Sequence, residues 1–240
     1  MKAKIFNKLN PWLFTKKSAF MQRIADRVRG SDVQYIQGQM KLEKTPFLVD
    51  KLAKRYPLNL LKLTQVRHRK SGLGVYNWSG YFDEATGFVY WVLLYEAGNT
   101  IDNSEPWRNP KLDPIKLTGY ELVRLTREGA NVPAWSWHYT SHQHRQLRDA
   151  IVTVIRGRRD NELHKLIHSI YRSPGFAGVR DQVKKMGVLI KSEWARSRSR
   201  AEVMPEMPKQ IGFVRRLEDV GNVWSEIVKG NKNERFQEEA

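Results

Sequence analysis

The stretch Phe88-Val89-Tyr90-Trp91-Val92-Leu93-Leu94-Tyr95 is apolar at odd and even positions alike, and aromatic and β-branched side chains dominate it. A strand with one wet face alternates apolar and polar residues. One that is apolar at both parities needs cover on both faces, so this segment reads as an interior strand with helices on either side of its sheet. Upstream, Val75 to Phe82 has similar content, and Asp83-Glu84-Ala85-Thr86-Gly87 between the two has hairpin composition. Before that, Leu58, Leu60, Leu61 and Leu63 lead into Val66 and are read as a further strand. The basic cluster Arg67-His68-Arg69-Lys70 and the turn pair Ser71-Gly72 close it.

Helical patterns flank this block. On the N-terminal side, Phe20, Ile24 and Val28 are spaced by four among Lys16, Lys17, Arg23, Arg27 and Arg29, which predicts an amphipathic basic helix over 15–29 stopped at Gly30-Ser31. A second helix is expected from Thr45-Pro46 to Arg55, with proline in its first turn and Pro57 beyond its end. On the C-terminal side, the breakers Gly98, Asn99, Asn103, Pro106, Asn109, Pro110 and Pro114 mark a loop over 98–114. A helix or short strand over 117–127 and an irregular or extended piece over 132–137 follow. From Ser141 onward the pattern predicts helices at about 141–156, 160–172 and 176–198, then a strand or short helix within 210–228 and a frayed polar end.

The expected fold class is α+β: a small antiparallel sheet flanked by an N-terminal basic helical arm and a C-terminal helical part with a helix-turn-helix-like unit. The corresponding segments are 1–57, 58–135, 136–200 and 201–240.

Charge separates the same segments. Residues 1–60 hold 13 Lys/Arg against 4 Asp/Glu and residues 141–200 hold 14 against 5, whereas 61–140 are nearly balanced at 9 against 8. Almost all of the net charge of +17 therefore lies in two blocks around a neutral, aromatic middle. Such a distribution suits a polyanionic partner. There is no cysteine, so disulfides, thiolate metal sites and Cys nucleophiles are excluded. No stretch approaches the roughly 20 apolar residues of a membrane span, and Lys8, Asn10, Pro11, Lys16 and Lys17 interrupt any leader-like run. The expectation is a cytoplasmic protein with no membrane partner, nucleoid-associated in a bacterium.

The helix over 176–198 carries the sharpest site expectation. Val179, Val183, Met186, Ile190 and Trp194 form one apolar stripe, and at 100° per residue Arg180, Lys184, Lys191 and Arg198 fall along one flank of it. Arg196 extends the charge. The short connection Arg172-Ser173-Pro174-Gly175-Phe176 would leave the helix N-terminus open to a phosphate beside Arg180. In a major groove, Arg180, Gln182 and Lys184 could reach base edges. Arg158, Arg159 and Arg172, with Lys16, Lys17, Arg23 and Arg27 of the N-terminal block, complete the candidate nucleic-acid contacts.

Catalytic signals are thin. His142-Gln143-His144 resembles the paired-histidine motif of rolling-circle initiators and relaxases, in which two histidines on a strand hold a divalent metal; Tyr171 would be the tyrosine partner. Here the middle residue is Gln and the segment reads as a helix start. His164 and His168 lie four apart on a helix, without the general base of a HExxH arrangement. Trp135, Trp137 and Tyr139 alternate in an extended segment and could either stack unpaired bases or cap the sheet. Gly87-Phe88-Val89-Tyr90 resembles part of the aromatic strand signature of RNA-recognition sheets but has no basic residue before the glycine. No Gly-rich phosphate loop, nucleophile elbow or dinucleotide fingerprint occurs, so no catalytic residue, metal ligand or cofactor is assigned. The expected function is non-enzymatic nucleic-acid binding, DNA favoured over RNA, by a transcriptional regulator or a replication or transfer accessory factor, the setting a mobile element and the assembly a monomer or homodimer. The alternatives are an RNA-binding component of a ribonucleoprotein and a metal-dependent strand-cleaving enzyme built on the histidines.

Overall fold

A computed structural model describes residues 7–29, 32–96, 98, 105–126, 129, 131–209, 211–213 and 215–238. In chain order the elements are β1 (Trp12–Phe14), α1 (Lys17–Arg27), β2 (Val33–Lys41), α2 (Thr45–Arg55), α3 (Lys62–Lys70), β3 (Val75–Asp83), β4 (Phe88–Glu96), β5 (Ile115–Leu117), β6 (Tyr120–Leu125), β7 (Ala134–Tyr139), α4 (Ser141–Arg156), α5 (Asp160–Tyr171), α6 (Ala177–Ser197), β8 (Gly221–Val223) and α7 (Trp224–Glu238). The chain divides into two compact units, Met1–Ile115 with Leu217–Ala240, and Lys116–Arg216. The architecture is α+β. Among the described residues no helix is long and apolar enough to cross a membrane.

In the first unit the sheet order is β2-β4-β3-β1-β8. β4 pairs antiparallel with β2 on one side and β3 on the other, along its whole length. Its two apolar faces are covered as the residue pattern demands. On one face Val89 and Leu93 join Leu13, Ile36, Trp78, Phe82 and the α2 residues Val49 and Leu52 in a single core. On the other, α1 buries Ala19, Phe20, Met21 and Ile24, with the Phe20 ring stacked on Tyr81 of β3 at 5.9 Å. The β3–β4 turn closes at Gly87, whose φ of 69° an L side chain would strain. Trp91 has glycine opposite it on both neighbouring strands, Gly38 and Gly80. A Cβ on Gly38 would stand 2.9 Å from the Trp91 ring, so the indole occupies the space that glycine leaves.

Three expectations for this unit need correction. Residues 1–57 are not a helical arm, because β1 and β2 are strands of the sheet and α1 packs against it. The signal for β2 is diluted by Gln34, Gln37, Gly38 and Gln39, and its pairing with β4 is a long-range contact that local composition does not report. Residues 62–70 form helix α3 instead of a strand. Only Leu58 of the leucine run is buried, Asn59 takes a positive φ of 49°, and the good helix formers that follow prevail. The pairing of β1 with β3 is parallel, so the sheet is mixed. The Gly30-Ser31 stop and residues 99–104 of the loop lie outside the described residues.

In the second unit, the segment read as a helix or short strand over 117–127 holds strand β6, and the piece read as irregular or extended over 132–137 holds most of strand β7. β6 and β7 pair antiparallel from Tyr120↔Tyr139 to Leu125↔Ala134, with β5 at the edge beyond β6. The helices fall where periodicity places them. α4 is capped by Thr140, whose hydroxyl accepts from the Gln143 N–H at 3.2 Å. α6 buries Val179, Val183, Met186, Ile190 and Trp194, the whole expected stripe. It lies so close to β7 that a Cβ on Gly178 would meet the Trp137 carbonyl oxygen at 2.7 Å.

Candidate nucleic-acid interface

The second unit holds 20 Lys/Arg against 9 Asp/Glu, a net +11 of the chain's +17. Its apolar stripe turned inward, α6 presents Lys184 and Lys191 outward on one flank, both exposed and neither in an ion pair among the described residues. Arg172 at the end of α5 is exposed as well, and so are Lys185 of α6 and Arg145 and Arg148 of α4. These side chains meet solvent, where a polyanion could reach them.

Several candidates are instead spent on the fold. The Gln182 amide accepts from the Tyr139 N–H at 2.7 Å and donates to the Tyr139 carbonyl at 3.1 Å, clamping α6 to the end of β7. Both of its polar atoms are engaged with the Tyr139 backbone, which directs this amide toward β7. Arg198 ends α6 with its side chain 2% exposed. It donates to the Ile155 carbonyl at 3.1 Å and to Glu202 at 2.8 Å, pairs with Asp160, and its guanidinium lies 4.6 Å from the Trp194 ring centroid. It points inward because α6 has ended and the chain turns extended there. Arg196 pairs with the buried Glu193, as does Arg156, and these cations hold its carboxyl below the usual glutamate range. Arg158 meets Glu202 at 3.2 Å and Arg159 meets Glu162 at 3.0 Å; both are half exposed, and such surface pairs leave a cation able to exchange partners. At the α6 N-terminus one first-turn donor is already used, the Gly178 N–H donating to the buried Ser136 hydroxyl at 3.1 Å.

Arg180 is half buried. Its guanidinium carbon sits 3.5 Å from the centroid of the Phe213 ring, its Nε is buried without a hydrogen-bond partner, and it has no carboxylate partner among the described residues. Phe213 itself is 72% exposed. Neither the ring nor Lys185 and Arg148 stand out in the sequence, although Phe213 is followed two residues later by Arg215-Arg216, an aromatic beside cations.

Of the N-terminal candidates, Arg23 and Arg27 are engaged within the fold. Arg23 pairs with Asp219 and Asp26 and donates to the Leu217 carbonyl; Arg27 donates to the Ser79 hydroxyl of β3. Lys17 is half buried, and burial pushes its ammonium pKa down against the pull of Asp83. Lys16 alone of those four is exposed without an ion pair among the described residues. Part of the charge of residues 1–60 is thus spent on pairing within the unit, while Lys41, Lys44 and Lys51, like Lys16, are exposed without an ion pair among the described residues.

The histidines do not converge. His142 and His144 lie in the first turns of α4, not on a strand, while His164 and His168 are exposed on α5. His138 Nε2 is 3.0 Å from Glu121 Oε1 across the β6–β7 ladder. His144 Nε2 is buried without a partner, and its pKa is lowered by burial first, then by Arg148, Lys185 and His138. Among the described residues no group of three His, Cys, Asp or Glu could hold a metal ion. Trp137 and Tyr139 are buried, so this alternating segment builds the core of its sheet and offers no stacking surface at those two rings. The Tyr139 hydroxyl bonds to Ser173 Oγ, and burial raises its pKa. Set against protein-family models, curated proteins and solved structures, the chain matches none of them.

Proposed function

We propose that this chain is a non-enzymatic nucleic-acid-binding protein that grips phosphates through the second unit, in a cytoplasmic or nucleoid setting. One observation carries the reading: Lys184 and Lys191 face outward without carboxylate partners among the described residues, with the half-buried Arg180 on the same flank, while the neighbouring Arg196 and Arg198 are paired. A strongly basic unit that leaves a row of lysines unneutralised is self-repelling until an anion arrives. With Gln182 held by Tyr139 and Arg180 stacked on Phe213, the row suits backbone contact, not base reading in a major groove. The helix-turn-helix reading and a regulator's sequence specificity have correspondingly less support than phosphate binding.

The test is the salt dependence of binding to a labelled oligonucleotide. Lys184→Glu with Lys191→Glu should weaken binding and reduce the slope of log K against log [salt] by about 2, since each phosphate no longer neutralised lowers it by roughly 0.7 to 0.9. Thermal stability should stay within about 0.5 kcal/mol, because both side chains are exposed. Unchanged affinity and slope would remove the proposal.

A further inference from the structure

Resting on that reading, the geometry points to the Arg180–Phe213 pair as a stacking platform for an unpaired nucleobase, which makes single-stranded nucleic acid the partner. Phe213 is one of the most exposed large apolar side chains of the described residues, at 72%. Arg180 covers one face of the ring at 3.5 Å, and the remaining exposure leaves the other face open. Ile211, two residues earlier, is buried at 8% and anchors the segment that carries the ring.

The chemistry around the ring is that of a nucleotide site. An aromatic face accepts any base by stacking, and a guanidinium behind it polarises the ring while its own donors remain unsatisfied. Arg180 has no carboxylate partner among the described residues, and its Nε is buried without a hydrogen-bond partner, so its charge is left to the ring and to an incoming anion. Lys184 follows one helical turn later on the same flank, about 6 Å along the axis, and Lys191 two turns after that, so cations continue away from the ring along a line. Exposed Arg215 and Arg216 follow the ring two and three residues later in sequence.

The single-strand requirement is geometric. Inside a duplex both faces of every base are covered by its neighbours, so a ring fixed on an arginine can stack only on an unpaired base or a strand end. Duplex phosphates would still meet Lys184 and Lys191, which separates the two readings.

The experiment uses the full chain with fluorescein-labelled oligo(dT), oligo(U) and a hairpin duplex carrying the same number of phosphates, with base-free linkers closing both of its ends, at one salt concentration and about 12 nucleotides in length. The wild type should bind a single strand more tightly than the hairpin. Phe213→Ala should lower single-strand affinity roughly tenfold and hairpin affinity less than twofold, and Phe213→Trp should restore single-strand binding. Whichever of oligo(dT) and oligo(U) binds more tightly should carry the Phe213 dependence, and that arm identifies DNA or RNA as the source of the base. A Phe213→Ala protein with undiminished single-strand binding, or with equal weakening on both probes, overturns the platform while leaving phosphate binding standing. Failure of the wild type to bind any probe overturns both.

Discussion

Replacing Arg198 by alanine separates a structural cation from a binding one. The side chain is 2% exposed and ties together three places: the Ile155 carbonyl at the end of α4, Asp160 at the start of α5, and Glu202 beyond α6. Removing one partner of a buried ion pair costs about 3–5 kcal/mol when the remaining charge stays buried. Asp160 is 54% exposed and Glu202 28%, so both carboxylates rehydrate in part and the cost moves to the low end. The Ile155 carbonyl loses its bond from Arg198, and the Trp194 ring loses its cation. Together these give about 3–4 kcal/mol, or a fall in Tm of roughly 6–16 °C for a chain of this length. Arg198→Lys should fall between, since an ammonium cannot present the guanidinium fork to all three acceptors. Thermal unfolding followed by circular dichroism gives Tm, and fluorescence anisotropy well below Tm gives affinity, which should change less than twofold. A Tm within 1 °C of wild type together with a large drop in affinity would refute the assignment and return Arg198 to the interface.

Other outcomes follow from the same geometry. Gly178→Ala should destabilise by about 1–3 kcal/mol against its gain in helix propensity, because the new methyl meets the Trp137 carbonyl at 2.7 Å. Gly187→Ala, nine residues later in the same helix, should be neutral to stabilising by up to about 1 kcal/mol, since it meets only the movable Tyr171 hydroxyl; urea titration checks both. Gly38→Val should lower stability by at least about 1–3 kcal/mol by displacing the Trp91 indole, visible as a shift in tryptophan emission. The lowered pKa of His144 means the unfolded chain binds its proton first. Its stabilisation is therefore complete above pH 6.5 and declines as pH falls from there through the native value, and His144→Gln should flatten that part of a Tm–pH profile. Tyr35 and Tyr81, each pushed up to about 12 chiefly by burial, should titrate well above exposed tyrosines when absorbance at alkaline pH is followed, and the stability they contribute is lost as pH rises from 10 through 12.

Legibility differs by element for physical reasons. The helices α2, α4, α5 and α6 can be bounded within about a residue, because an apolar stripe at period 3.6 with Pro46, Gly157 and Pro174 as punctuation is a local signal. The β3–β4 hairpin is equally plain from Gly87 and its flanks. β2 is hidden because its glutamines read as polar and only the partner strand β4 makes them a strand. α3 is misleading because leucines that look like buried strand residues stay in solvent, Leu63 at 76% exposure. For the site, helical geometry puts Lys184 and Lys191 on one flank, and the structure keeps them there. Helical geometry cannot show that Phe213 comes to lie on Arg180 across more than thirty residues of chain.

What the residues determined alone was local: α+β class, the helical stripes, the hairpin, and the sign and placement of charge. Only the tertiary structure decided which cations remain available. A basic residue's role depends on whether a carboxylate, carbonyl or ring from a distant segment reaches it, as Asp219 reaches Arg23, and as Ile155 and Asp160 reach Arg198. Charge along the chain is additive, but its neutralisation depends on which groups meet in space, so the distribution of charge pointed to the unit and the fold selected the side chains on it, Lys184 and Lys191 among them, that stay exposed without an ion pair among the described residues.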